Sequence, residues 1–442
     1  MVRPTFVVLM LFLPNAAANA QSSGNQVLNL SLKEAIETAQ NQSFTVKDAA
    51  FESQAAQHVF SQTRAAFLPS ISFEYDIVST NDPLNVFGFK LKQERVTQQD
   101  FDPSRLNSPD AFENYSARIK VQQPLFNPDM FLARSAARSQ MNSSTEQLAS
   151  TKKHIRFQVT RLYFELVLHG EQLNVIREAL LTAEEFERQS RIFFDEGLIN
   201  REDLLTAQVH RLELESKKLG ITNKQADASA NLAHLLGYDS SISINPTDIL
   251  EQVNGTLPDI DPAEILIDNA YLRAISHKAE AASGMLRSSL YGFLPKINVF
   301  GQYEFNDSDF GGFEASSYLI GANLTWNIFS GYQKAGRVSE SRVRARQAET
   351  MLQNQTIDQQ NRLESAWRAL EHAGRQIEVR GEAIEQATEN IRIRSNRYQE
   401  GMESTTDLLQ AQTRLSEARL NQLVAIFQYN MSVAAIEMLL EL

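Results

Sequence analysis

The chain has no cysteine among its 442 residues. Disulfides, thiolate metal centres and a lipid-modified N-terminal cysteine are therefore excluded. Proline is missing between Pro128 and Pro246 and again after Pro295, so the strongest helix breaker is absent from two stretches where helices can run far. Past the first twenty residues no run approaches the roughly 18–20 apolar residues of a membrane-spanning helix. That leaves soluble or β-barrel forms for an exported chain. Basic residues are in deficit, 42 Lys and Arg against 54 Asp and Glu for a net charge of −12, which disfavours nucleic acid as a partner. The seven histidines do not form a two-His zinc helix, and no Ser/His/Asp set, phosphate loop or dinucleotide fingerprint appears. The reading is of no enzyme, no metal and no cofactor.

What is present is a duplication. Glu196-Gly197-Leu198 followed by Asp203-Leu204-Leu205 reappears as Glu400-Gly401-Met402 followed by Asp407-Leu408-Leu409, and Phe67-Leu68-Pro69 reappears as Phe293-Leu294-Pro295. A repeat of this length means one structural unit used twice. Arg3, the apolar run Phe6 to Leu13 and Ala18-Asn19-Ala20 read as a cleaved signal peptide over residues 1–20. The first repeat then spans 21–240, a linker with Pro246, Gly255 and Pro258 spans 241–262, and the second repeat spans 263–442.

Two periodicities alternate within each repeat. Ile155, Val159, Leu162, Leu166, His169, Leu173, Ile176, Leu180 and Ala183 step by four and three, as do Leu363, Ala366, Leu370, Ala373, Ile377, Arg380, Ile384, Ala387 and Ile391. Both are coiled-coil seams on long helices. Period two rules elsewhere: Ile71, Phe73, Tyr75 and Ile77 alternate with polar neighbours, and the same holds over 116–123, 296–305 and 317–327. These segments, with the first at 70–78, read as four amphipathic strands of transmembrane length with aromatic residues near their ends. Four strands cannot close a membrane barrel, so it must be shared between copies. The Ser79–Tyr115 connection is the longer one and belongs on the extracellular side.

The order and duplication of Phe67-Leu68-Pro69 and Phe293-Leu294-Pro295 at strand entries, Gln123-Pro124-Leu125-Phe126 and Trp326-Asn327-Ile328-Phe329 at strand exits, and the two Gly breaks resemble the TolC-type outer-membrane efflux channel family over essentially the whole mature chain. The resemblance implies a mainly α chain with membrane β. In a homotrimer, an α-helical barrel of coiled coils would continue a shared twelve-stranded β-barrel held in outer-membrane lipid. It implies passive conduction of cargo from an inner-membrane pump of RND, ABC or MFS type, through a periplasmic adaptor (membrane fusion) protein. It places Asp203, Tyr398 and Asp407 at a periplasmic gate, and Gly197, Leu198, Gly401 and Met402 where the adaptor docks. Glu403 stands where the family often has a basic gate residue, and Gln410 replaces an acidic one. From the residues alone, Asp203 and Asp407 also read as N-caps of the returning helices, and the two glycines as helix C-terminal stops. The competing reading is a periplasmic coiled-coil rod, a structural or adaptor protein without a membrane barrel; it accounts for the heptads and the signal peptide but not for the four strands.

Overall fold

The computed structural model describes residues 26–239, 241–253 and 268–441. The expected signal segment 1–20 lies outside them, as does part of the 241–262 linker. The first repeat comprises β1 (Gln26–Leu30), α1 (Leu32–Gln42), α2 (Phe44–Gln62), β2 (Ser70–Thr80), α3 (Pro83–Lys92), α4 (Pro103–Asn107), β3 (Phe112–Phe126), α5 (Pro128–Asp195) and α6 (Arg201–Leu235). After β4 (Ile242–Pro246) the second comprises α7 (Ala270–Tyr291), β5 (Lys296–Asp307), β6 (Ala315–Thr325), α8 (Gln333–Gln399) and α9 (Thr405–Leu440). Without an internal proline, α5 runs for 68 residues, a rod of about 100 Å at 1.5 Å per residue.

Strands β2, β3, β5 and β6 form one antiparallel sheet in that order. Its register puts Phe73 opposite Ile119, Ile119 opposite Tyr303 and Tyr303 opposite Tyr318, one apolar row across all four strands. Phe73 is 66% and Tyr318 76% exposed. The adjacent row, Glu74, Arg118, Glu304 and Ser317, faces the other way. There Arg118 bridges Glu74 at 3.2 Å and Glu304 at 3.3 Å, and Lys120 holds Glu74 at 2.8 Å. An apolar face bare to its surroundings, backed by an ion-paired face, suits a sheet with lipid on one side and water on the other. The prolines of the β2–β3 connection do not leave it without regular structure. Each of two prolines instead opens a short helix at its first turn, α3 and α4. Lys92 at the end of α3 reaches Glu304 at 3.0 Å, and buried Gln93 bonds Glu113 O, Asn114 Oδ1 and Asp307 O. The connection thus folds over the polar face of the sheet.

The helices pack α5 against α2, α6, α7 and α9, and α8 against α7 and α9. Gly284 of α7 permits the close approach to α5, since a Cβ there would sit 2.9 Å from that of Ala136. The first seam is buried at Ile155, Val159, Leu166, His169, Leu173, Ile176 and Ala183; the second is buried at Leu363, Leu370 and Ala373 and only half-buried from Ile377 to Ile391. One expectation fails: α9 is long and apolar enough, by length and composition, to cross a membrane. Only about a third of its apolar window is buried within the single chain. Its apolar residues instead serve the packing with α8 and α5, where Leu415, Val433 and Ile436 are buried.

A parallel pair of short strands, β1 with β4, was not read from the sequence. It is held by Tyr163 of α5, which is fully buried. The Tyr163 hydroxyl lies 2.9 Å from Leu30 O and 2.7 Å from Asp248 Oδ2, and accepts from the Thr247 and Asp248 amides at 3.2 Å. Burial, joined by the Asp248 acceptor, pushes the phenol up to about 12. Replacing Tyr163 by Phe strands these buried partners and is expected to cost about 1–3 kcal/mol, read as a lower unfolding midpoint in detergent and faster amide exchange at Thr247 and Asp248. An unchanged midpoint and exchange rate would show that the strands hold without the hydroxyl.

Candidate gate at the helical tips

Both long helices stop by the same device. Leu198 N donates to Phe193 O at 2.8 Å and Gly197 N to Phe194 O at 2.9 Å; Met402 N donates to Arg397 O at 2.8 Å and Gly401 N to Tyr398 O at 3.0 Å. This is the Schellman pattern, which needs a left-handed residue. Gly197 has φ +76° and Gly401 φ +71°, with open space where a Cβ would stand, so backbone conformation rather than crowding calls for glycine. Leu198 and Met402, just past the stops, are 67% and 59% exposed.

The returning helices start from Asn200 and Ser404, whose side chains accept from Asp203 N at 2.9 Å and Asp407 N at 3.1 Å. Asp203 and Asp407 are therefore not the N-caps. They stand three residues further on, in the first turn, where the helix dipole favours a negative charge. The caps were missed because Asn and Ser compete for that position on equal terms with Asp.

The second tip carries a charge cluster of its own. Glu403, its side chain only 9% exposed, pairs with Arg394 at 2.5 Å and with Arg397 at 3.2 Å. Arg394 also reaches Asp407 at 3.7 Å, and Ser404 Oγ donates to Asp407 Oδ2 at 2.7 Å. Glu403 thus ties the end of α8 to the start of α9 within one chain. Asp203 is half-buried and has no ion pair among the described residues, nor any contact there with Asp407. Gln410 is exposed.

Tyr398 is buried between the two hairpins. Its hydroxyl stands 3.4 Å from Ser190 Oγ of α5 and 3.4 Å from Thr405 Oγ1 of α9, while Phe186 and Phe193 of α5 pack on its ring at centroid distances of 6.4 and 6.1 Å. Nothing in the local sequence pattern marks Ser190 or Phe186 as partners. Arg394 and Arg397, however, lie in the last turns before a break followed by Glu403, a legible pairing signal. On the first hairpin Glu187 joins Arg211 of α6 at 2.7 Å and Arg191 at 3.1 Å. Burial opposes the Glu187 charge, but the two guanidiniums outweigh it and hold the carboxyl below the usual range. Among the described residues no cluster is disposed to hold a metal ion.

Two outcomes are expected at the tips. Tyr398→Ala, which removes a buried ring, should loosen both hairpins by about 3 kcal/mol or more, and Gly401→Ala only the second by about 1 kcal/mol, as seen in amide exchange; equal effects would deny Tyr398 its bridging place. Because the Glu187 carboxyl is depressed in the fold, its contribution is complete above its unfolded value near about 4.3 and fades as pH falls through the lower folded value. Glu187→Gln should therefore weaken α5–α6 pairing near neutral pH and flatten its acid dependence below about pH 4; an acid profile identical to the parent's would remove Glu187 from it.

With this geometry in view, comparisons with known proteins are informative. The family model described as outer membrane efflux protein matches residues 35–238 and 262–440. The chain is similar to the alkaline protease secretion protein AprF of Pseudomonas aeruginosa, 20% identical over 362 residues, covering 80% of this chain and 73% of AprF. Its fold is similar to that of the outer membrane protein VceC of Vibrio cholerae (TM-score 0.79, 18% identity, 92% of this chain and 95% of that one). It is likewise similar to the CmeC outer membrane channel of Campylobacter jejuni (TM-score 0.80, 16% identity, 99% and 94%).

Proposed function

We infer function from one premise: the chain belongs to the outer membrane efflux protein family. It is an outer-membrane channel of the tripartite efflux and secretion type, seated in the outer membrane of a Gram-negative cell and extending into the periplasm. The observation that carries this reading in its own structure is the four-stranded sheet, apolar and bare on one face, ion-paired on the other, and continuous with helices about 100 Å long. A soluble coiled-coil rod has no use for such a face.

The proposal in its finer form is a cyclic trimer. β2 and β6 are unpaired edges of the sheet, and unpaired backbone groups in hydrocarbon are costly enough that the sheet must close. Three copies give twelve strands. The helices support the same assembly: Leu205, Val209, Leu212 and Leu219 form an exposed heptad row on α6, and Val379 and Ile393 are exposed on α8, faces suited to a neighbouring copy. Outside the bilayer, the exposed tips at Gly197, Leu198, Gly401 and Met402 are proposed to dock a periplasmic adaptor linked to an inner-membrane pump. The pump supplies the energy and the channel no chemistry.

Tyr398 is proposed to hold the tips closed through its packing between the hairpins, with Asp203 and Asp407 lining the constriction. The Arg394–Glu403–Arg397 cluster lies within one chain and supports an α8–α9 hairpin that moves as a unit. Asp407 shares Arg394 whereas Asp203 has no such partner among the described residues, so their field at the mouth is unequal. In planar bilayers Asp203→Ala should lower cation selectivity more than Asp407→Ala, and Arg394→Ala should raise it. Unchanged selectivity in the Asp203→Ala, Asp407→Ala double variant would leave both residues a helix-terminal role only. Mass measurement of the detergent-extracted protein should give three chains; a stable monomer with full β-content would overturn the shared barrel.

A further inference from the structure

Between the sheet and the helices, α5, α7 and α8 enclose a groove of about 1120 Å³. Lys296 and Thr325 line it. They are cross-strand partners, and Lys296 lies an even number of residues from Glu304, so both project from the ion-paired face of the sheet. The groove accordingly opens on the channel side and not toward lipid.

Its chemistry is divided. The floor is apolar and bare, with Met285 50%, Met351 43% and Leu294 42% exposed, and Ala282 keeps it open. The rim is basic. Lys296 is taken by Asp129 at 2.6 Å and Arg344 by Glu340 at 2.7 Å. Lys278 and Arg337 are exposed and have no ion pair among the described residues, and Lys334 donates to the neutral Asn327 O at 2.8 Å. Lys334 also rests over the Phe293 ring at 5.6 Å, so two cationic side chains, Lys278 and Arg337, stand without an ion pair among the described residues beside apolar surface in a protein of net charge −12. The groove borders the α5–α7 contact, where Gly284 of α7 meets the groove-lining Ala136 of α5.

We propose that this groove binds anionic amphiphiles: a single acidic head held at the basic rim, by Lys278 toward one end or by Arg337 toward the other, and an apolar body of drug-like size lying on Met285 and Met351. Charge complementarity fixes the sign of the head. Flexible thioethers suit bodies of varied shape, and the volume suits a molecule of that class. Opening on the channel side, the groove takes its ligand from the water-filled interior and not from the bilayer. The proposal rests on the channel reading only in making such amphiphiles a class of cargo; binding itself is measured without ion flow, so failure of either reading leaves the other testable.

The test uses the assembled protein in nanodiscs containing anionic lipid, with anilinonaphthalenesulfonate as the probe and uncharged phenylnaphthylamine as its control. The Lys278→Ala, Arg337→Ala double variant should raise the Kd for the sulfonate about tenfold or more and leave the neutral probe unchanged. Ala282→Phe, which fills the floor, should weaken both. Sulfonate affinity unchanged in both variants would overturn the site, and equal losses for the two probes in the double variant would overturn its selectivity for anions. Both rim residues are exposed, so their removal leaves the fold intact, as circular dichroism would verify.

Discussion

The rest of the molecule depends on one constraint: a sheet in hydrocarbon cannot leave backbone groups unpaired. This chain brings four strands and two open edges. Closure by partner copies satisfies the edges and also imposes a rotation axis on everything attached to the sheet. The helices then have to surround the same axis, which explains why exposed apolar rows persist on α6 and α8 instead of being buried within one chain. The half-buried lower seam of α8 and the modest burial of α9 follow from the same cause. In the proposed assembly, a face left bare in one protomer is the surface on which the next is built.

The sheet face turned to water carries its own consequence. Arg118 sits amid Glu74, Asp76 and Glu304, and Lys92 of α3 adds a second cation to Glu304. Burying Glu304 to this degree, its side chain 7% exposed, is tolerable only with cations on both sides. The ion pairs thus anchor the β2–β3 connection over the polar face while leaving the apolar face undisturbed. Charge alternates along the chain's length: Asp203 and Asp407 at the tips, the cations Lys278 and Arg337 beside the groove below the sheet, and mixed pairs within the sheet itself.

Much of the fold was legible because its periodicities are long and uninterrupted. Alternation located the four sheet strands, and missing proline with heptad spacing located α5 and α8. The β1–β4 pair escaped because each strand has five residues and its partner lies far along the chain; parallel pairing at that separation leaves no local pattern. The helices α3 and α4 escaped because they are short, ten and five residues, and their start signal is only an aspartate N-cap followed by Pro83 or Pro103 at the first turn. At the tips, the Gly stops were plain from sequence, whereas the packing of Tyr398 against Phe186 and Phe193 depends on how two hairpins meet, which no local pattern encodes.

The duplication also shows where the two halves have diverged. Aligning Gly197 with Gly401 sets Asp203 opposite Asp407 and Asn200 opposite Ser404, so the cap and the first-turn carboxylate are kept in both copies. The same alignment sets Phe193 opposite Arg397, Ile199 opposite Glu403 and Ser190 opposite Arg394. The first hairpin therefore turns on apolar side chains where the second turns on an ion-paired cluster. Ser190, in losing the cation its counterpart carries, leaves room for Tyr398 to approach its hydroxyl. A guanidinium there would meet the buried ring and require an acid of its own. Identical turns with unlike contents let the two hairpins adhere to each other through Tyr398 while each is stapled within itself by charge, the first between Glu187 and Arg211 away from its turn and the second at the turn through Glu403, and a hairpin stapled within itself can part from its neighbour without coming apart.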